Sequence, residues 1–358
     1  MVVPDLGIPN NGNLSTLVHL DRYDLLSLPT GLAIIANASM PNLFSNLTRK
    51  AVTTKVPFSL PFSVALSDGS VMAEVITAPI YIDKSDKISL GLSGEITADL
   101  DDTGDDSPLS TFLQKYLNGE DNPIKVKGLT AIPSFIPPSS IDAPPNWLLH
   151  SMQAIQADLI FPGPKPKPNI LKSVTIERVR IVERRGKMLV SGMVLAIVEL
   201  PPAMERVNVD VSDLLPDILV YNGPVEDDDD GDGEEYPPRA FGRIRPEDWL
   251  PAATEHLTDD PVNPYKMQVT AEIQEVPLEV LSGRDKVLSD FVSKIVFRGG
   301  AEAGIKGTAD VKVQIQGVGK GKERSLVRLD GLPVQGRFWV GRQRLAGSEE
   351  FKENSGEL

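Results

Sequence analysis

Apolar residues recur along the chain in short runs, several of them with a period of two. Val56, Phe58, Leu60, Phe62, Val64 and Leu66 fall on one face of an extended segment, with Pro57 and Pro61 on the other. That alternation predicts a strand, and the two prolines, which cannot donate to a ladder, place it at a sheet edge. Val207, Val209 and Val211 alternate with Asn208, Asp210 and Ser212, and Val311, Val313 and Ile315 alternate with Lys312, Gln314 and Gln316. Both patterns describe strands with one solvated face. The run MLVSGMVLAIVEL, from Met188 to Leu200, is apolar on both faces, as expected of a strand at the centre of a sandwich.

Three segments carry helical spacing instead. Ser107 suits an N-cap and Pro108 the first helical position; Leu109, Phe112, Leu113, Tyr116 and Leu117 share a face, and Gly119 can end the helix. A second helix is predicted from about Asn146 to Phe161, with Leu148, Met152, Ile155 and Leu159 at helical spacing and Trp147 and Leu149 beside them. A third covers roughly Asp285 to Phe297, directing Val287, Leu288, Phe291, Val292 and Ile295 inward, ahead of Gly299 and Gly300.

Between these elements, 30 prolines and 29 glycines punctuate the chain. This is the texture of short strands joined by turns, so the predicted fold is mainly β. A length of 358 residues is about twice that of a usual domain of roughly 100–200. The segment FPGPKPKPN, Phe161 to Asn169, holds four prolines in nine residues and reads as a stiff extended linker. The block from Ser107, SPLSTFLQKYLNGEDNPIKVKGL, matches the block from Leu288, LSDFVSKIVFRGGAEAGIKGTADV, in pattern; GEIT at Gly94 and AEIQ at Ala271 precede them at similar distance. The two halves therefore look like copies of one module. The expected organisation is a first antiparallel β-sandwich over 14–163, a linker over 164–168, a second β-sandwich over 169–346 and a polar tail over 347–358, each sandwich with a short amphipathic helix. Within the second, EDDDDGDGEE has eight acids in ten residues and forms a solvated loop, 224–238, that no core can absorb.

Charge and residue chemistry narrow the functional classes. Lys plus Arg is 36 against Asp plus Glu 50, a net charge of -14, which repels nucleic acid and anionic lipid surfaces at long range. With no cysteine, disulfides, thiolate nucleophiles and Cys-based metal sites are excluded. His19, His150 and His256 lie far apart, and no HExxH or GxSxG motif is present. No catalytic residue, metal site or cofactor is assigned, although spatial convergence of a histidine with carboxylates would make an enzyme. QGVGKGKE, around Gly317, Gly319 and Gly321, superficially resembles a phosphate loop but sits between two predicted strands and reads as a hairpin turn. Asp228, Asp230 and Asp232 have calcium-loop spacing, but the twelfth position is Arg239 where a bidentate Glu is needed. Asn13, Asn37 and Asn46 stand in N-glycosylation sequons, a number that chance also supplies. No stretch approaches the ~18 apolar residues of a membrane span, and as it stands the chain reads as soluble.

The apolar stripe Val56 to Leu66 is either plain core or one wall of an inter-sheet groove. In the second case Val56, Phe58, Leu60, Phe62, Val64 and Leu66 line it, and the helix carrying Trp147, Leu148 and Met152 covers it like a lid. A sandwich holding its sheets apart shelters an acyl chain without reactive residues, at about 0.8 kcal/mol per buried methylene.

The blocks SPLSTFLQKYLNGEDNPIKVKGL, VSGMVLAIVELPP and GLPVQGRFWVG, set in the strand-rich repeat, resemble a fungal family: the vacuolar membrane proteins named for termination of autophagy. That family is similar in turn to the late embryogenesis abundant proteins of type 2, whose module is a seven-stranded antiparallel β-sandwich with a helix. The likeness extends over nearly all of residues 14–345 and implies a glycosylatable chain on the lumenal side of the vacuolar membrane. It also implies autophagy regulation and lipid binding or transfer in the module's groove. It transfers no catalytic residue, and some relatives carry a pre-rRNA-processing label that a charge of -14 makes hard to reconcile with RNA contact. Relatives have a cytosolic segment and a transmembrane helix that are not part of these 358 residues, so attachment would run through an anchor outside this chain. The alternative is a structural or protein-interaction ectodomain without a cavity, docking through an exposed sheet edge or apolar patch.

Overall fold

The computed structural model describes residues 18–29, 31–42, 54–83, 85–97, 107–137, 142–225, 236–257, 266–318 and 325–341. Two large antiparallel sheets dominate. The first takes β1 (His19–Leu28), β2 (Gly31–Pro41), β4 (Pro61–Leu66), β5 (Val71–Thr77), β7 (Lys87–Ile96), β8 (Asn122–Gly128) and β9 (Gln156–Phe161) in the order β1-β2-β7-β5-β4-β8-β9. A side ribbon pairs β3 (Thr54–Val56) with β6 (Ile80–Ile82). The second sheet takes β10 (Leu171–Arg184), β11 (Lys187–Glu199), β12 (Val209–Asn222), β13 (Ala240–Ile244), β15 (Lys266–Val280), β16 (Gly300–Ile315) and β17 (Ser325–Gly341) in the order β10-β11-β15-β13-β12-β16-β17. β14 (Leu250–His256) adds pairings to β12 and β15.

Both seven-strand paths read first, second, fifth, fourth, third, sixth, seventh in chain order. In both, a helix connects the fifth strand to the sixth: α1 (Pro108–Leu117) in the first unit and α3 (Asp285–Arg298) in the second. GEIT closes β7 and AEIQ lies within β15, so the paired segments of the sequence fall on equivalent strands.

Each sheet curls until its two edges face each other. In the second, bulges interrupt the β10–β11 register between Glu177 and Arg180 and the β11–β15 register between Val190 and Gly192. Arg178 and Glu275 take positive φ at these places, and Ser191 Oγ accepts the Glu275 N–H at 3.0 Å. Such bulges bend and twist a sheet. The curl brings β17 onto β10 so closely that a Cβ on Gly336 would lie 2.6 Å from the Val174 carbonyl oxygen, a place only glycine fits. In the first sheet the closing contact is aromatic, with the Tyr23 ring of β1 centred 4.3 Å from that of Phe161 on β9.

The hydrophobic core runs across both units. Leu25, Leu32, Met72 and Val75 of the first sheet share one buried cluster with Val209, Met267, Val313 and Leu329 of the second, and α1 lies between them. Phe112 and Tyr116 turn towards Tyr23 and Phe161, whereas Ser110 Oγ donates to the Arg328 carbonyl and Gln114 Nε2 to the Asp330 carbonyl at 3.1 Å, both on β17. Backbone bonds reinforce the joint: Ser27 N–H to Arg206 O at 3.0 Å and Leu32 N–H to Gly317 O at 2.9 Å. A second cluster fills the far end of the second sheet, where Phe291 of α3 stacks on Phe241 with ring centres 4.8 Å apart.

α1 has the predicted start, with Ser107 Oγ accepting the Ser110 N–H at 3.0 Å, and α3 ends at left-handed Gly299. Three expectations need correction. The Val56–Leu66 run is not one strand: it breaks between β3 and β4, and β4 is interior, flanked by β5 and β8. Pro61 is its first residue, where the missing donor does no harm, and Pro57 falls in the break. The second helix, α2 (Asn146–Met152), stops early, and Gln156–Phe161 is strand β9, because β8 offers that segment a ladder. In α3, Val292 points outward, at 39% exposure.

Candidate functional site

An apolar cavity of about 190 Å³ lies inside the curled second sheet. Strands β10, β11, β12, β15, β16 and β17 supply its wall, through residues such as Val194, Val211, Val269, Ala309 and Val334. These are the inward positions of the alternating strands, so the period that defines the strands also makes the lining apolar. Leu113 and Leu117 of α1 close one end. A helix of the first unit thus stoppers the interior of the second. Lys167 and Asn169 are the polar members of the lining, both exposed, and mark where it meets solvent. Lys167 Nζ donates to Asn118 Oδ1, just past α1, at 3.2 Å.

The proline-rich segment beside this rim is fastened rather than free. The Gly163 N–H donates to Asp121 Oδ1 at 3.0 Å and Lys165 Nζ lies 3.5 Å from the same oxygen. The Gly163 N–H is the main reason the Asp121 carboxyl titrates below its ordinary range, with Lys165 adding to it. Tyr23 donates to the Pro162 carbonyl at 3.2 Å. Burial pushes the Tyr23 hydroxyl well above the usual phenol range, with Tyr116 adding to the shift, and burial raises Tyr116 too. Neither tyrosine ionises under ordinary conditions, and both serve the joint as neutral hydrogen-bonding rings. On the outside of the second sheet, Arg243 grips Asp217 through Nε at 2.6 Å and Nη2 at 2.5 Å, and these bonds hold the Asp217 carboxyl below its ordinary range.

The groove residues expected in the first unit lie elsewhere. Phe62, Val64 and Leu66 join the core of the first sheet, whereas Val56 ends β3 and Phe58 and Leu60 lie in the break before β4. Met152, the last residue of α2, is buried, Leu148 is half-buried, and Trp147 is 68% exposed. None of these residues lines the cavity. Asn37 is exposed on β2, whereas Asn13, Asn46 and the Asp228–Asp232 spacing lie outside the described residues. His19, His150 and His256 are all exposed; His256 Nε2 is 3.0 Å from Asp210 Oδ1, and no three His, Cys, Asp or Glu among the described residues are placed to hold a metal. No helix among them is long and apolar enough to cross a membrane. Sequence patterning assigns Val207–Val211 and Val311–Ile315 to strands; Val207 falls just before β12, and the cavity that Val209, Val211, Val311, Val313 and Ile315 share emerges only when the curl points them inward.

Residues 235–337 match the family model described as the Tag1 C-terminal domain, a stretch that holds α3, β13 to β16 and most of β17. No curated protein matches the chain. Among solved structures, the partial N-terminal region of an enterococcal surface protein is similar at a TM-score of 0.15 and 8% identity, over 94% of this chain and 98% of that one. The B domain of a biofilm associated protein follows at 0.13 and 7%, over 90% and 85%, and a BSP domain of such a protein at 0.14 and 6%, over 90% and 58%. Scores this low carry no inference; the family match over 235–337 is what ties the second unit to known proteins.

Proposed function

We propose that this chain is a non-enzymatic binding protein that shelters an apolar chain, such as part of a lipid, in the cavity of its second unit. The observation that carries the proposal is the cavity itself, about 190 Å³ with a lining apolar except for Lys167 and Asn169 at the rim. For scale, a dry cavity of about 150 Å³ lined by aliphatic and aromatic side chains takes up benzene. The space therefore suits a ring or a short alkyl segment, and a longer chain requires the mouth at α1 to widen. We read the two units, on their shared strand order, as copies of one late-embryogenesis-type-2-like module. The match to the Tag1 C-terminal domain supports a link to autophagy, and with it the lumenal face of the vacuolar membrane as the place of action. Glycosylation at Asn37 is in keeping with that placement, since the side chain is exposed.

The test is calorimetric titration with hexanol. At about 0.8 kcal/mol per methylene, six buried carbons give a gross gain of ~5 kcal/mol, a Kd near or below millimolar. Ala309→Phe, on the cavity wall, is expected to abolish that uptake while the protein stays folded, with Ala196→Phe as a second filling site. A folded wild-type chain that takes up no hexanol overturns the reading.

A further inference from the structure

We infer that the outer face of α3 is a docking surface for a second copy of this chain, which it joins head to tail. The inference uses the shared strand order and is independent of whether the cavity holds a ligand. α1 and α3 occupy the same place in their units. Aligned with Phe112 on Phe291, both buried against their own sheets, Leu113 pairs with Val292 and Leu117 with Val296. Leu113 and Leu117 are 1% and 5% exposed because they enter the mouth of the following unit. Val292 and Val296 are 39% and 67% exposed, with Phe297 beside them at 85%. α3 therefore carries the apolar face that α1 uses to bind the next unit, and among the described residues nothing covers Val296 or Phe297. A cluster of large apolar side chains on one helix face marks an interaction site.

The receiving end is equally recognisable. The second sheet receives α1 around the starts of β15 and β17. The equivalent strands of the first sheet are β7 and β9. Tyr81 stands shortly before β7, and Trp147 and Ile155 stand before β9, at 56%, 68% and 37% exposure. Donor and receiver lie on different units of one chain, so a single contact leaves one donor and one receiver free, and the association closes into a ring or runs on as an open chain.

Sedimentation velocity of the whole chain tests this, in salt sufficient to screen the net charge of -14. The wild type is expected to gain mass with concentration. A donor variant, Val296→Asp with Phe297→Asp, and a receiver variant, Trp147→Asp, each stay at monomer mass. Mixed in equal amounts, they reach twice that mass and no more, because one intact face of each kind remains. Unchanged thermal unfolding shows that the variants are folded, since all three side chains are exposed. A wild type that stays monomeric, or single-face variants that associate as well as it does, overturns the inference.

Discussion

Phe112→Ala is expected to destabilise the protein by about 3–5 kcal/mol, the usual range for emptying a buried aromatic site, and to do so in both units at once. Phe112 is 2% exposed and packs edge-on to Phe161 at 5.0 Å and parallel to Tyr116 at 6.2 Å. It sets the pitch of α1, whose other side carries Leu113 and Leu117 into the second unit. In a Trp147→Phe background the remaining tryptophans, Trp249 and Trp339, both lie in the second unit. Fluorescence then reports the second unit while the mutation sits in the first. A common midpoint by fluorescence and circular dichroism, shifted as a whole by Phe112→Ala, is the expected outcome. A fluorescence midpoint that stays put while the first unit melts earlier would show two independently stable units.

Gly317→Val is expected to cost at least about 3 kcal/mol, because strain and collision add. Gly317 has φ +88°, and a Cβ there would lie 2.5 Å from the Gly31 carbonyl carbon and 2.7 Å from its oxygen, backbone atoms of the other unit. Relief requires the units to part, which also breaks the bond from the Leu32 N–H to Gly317 O. Gly69→Val separates the two effects. Gly69 has φ +94° with nothing within 4 Å of its Cβ position, so it reports strain alone, about 1–2 kcal/mol. Equal losses at the two sites, measured by urea unfolding, would mean that the joint at Gly317 carries no load.

Local signals wrote themselves into the sequence more clearly than long-range ones. α1 was legible because Ser107, Pro108 and its apolar face all point to the same helix, and the same holds for Gly299 at the end of α3. The helical pattern of α2 overruns its end because Ile155 and Leu159 satisfy a helical period, while Ala157, Leu159 and Phe161 equally satisfy a strand period. Only the ladder with β8 decides between them. Pro61 mimics an edge marker because a sequence does not reveal that it opens its strand. The lid expected at Trp147 was one helix too late: the helix that closes a cavity is α1, and the cavity belongs to the other unit. Val292 looked inward because a helix face that docks on a neighbour has the same pattern as one that faces its own core.

Native mass spectrometry of the chain purified from a eukaryotic secretory host, beside Ala309→Phe, tests the central claim most directly. The account predicts an apolar adduct near one per chain on the wild type, absent from a variant that melts at a similar temperature. A wild type that arrives bare, or an adduct that survives filling of the cavity, would contradict it.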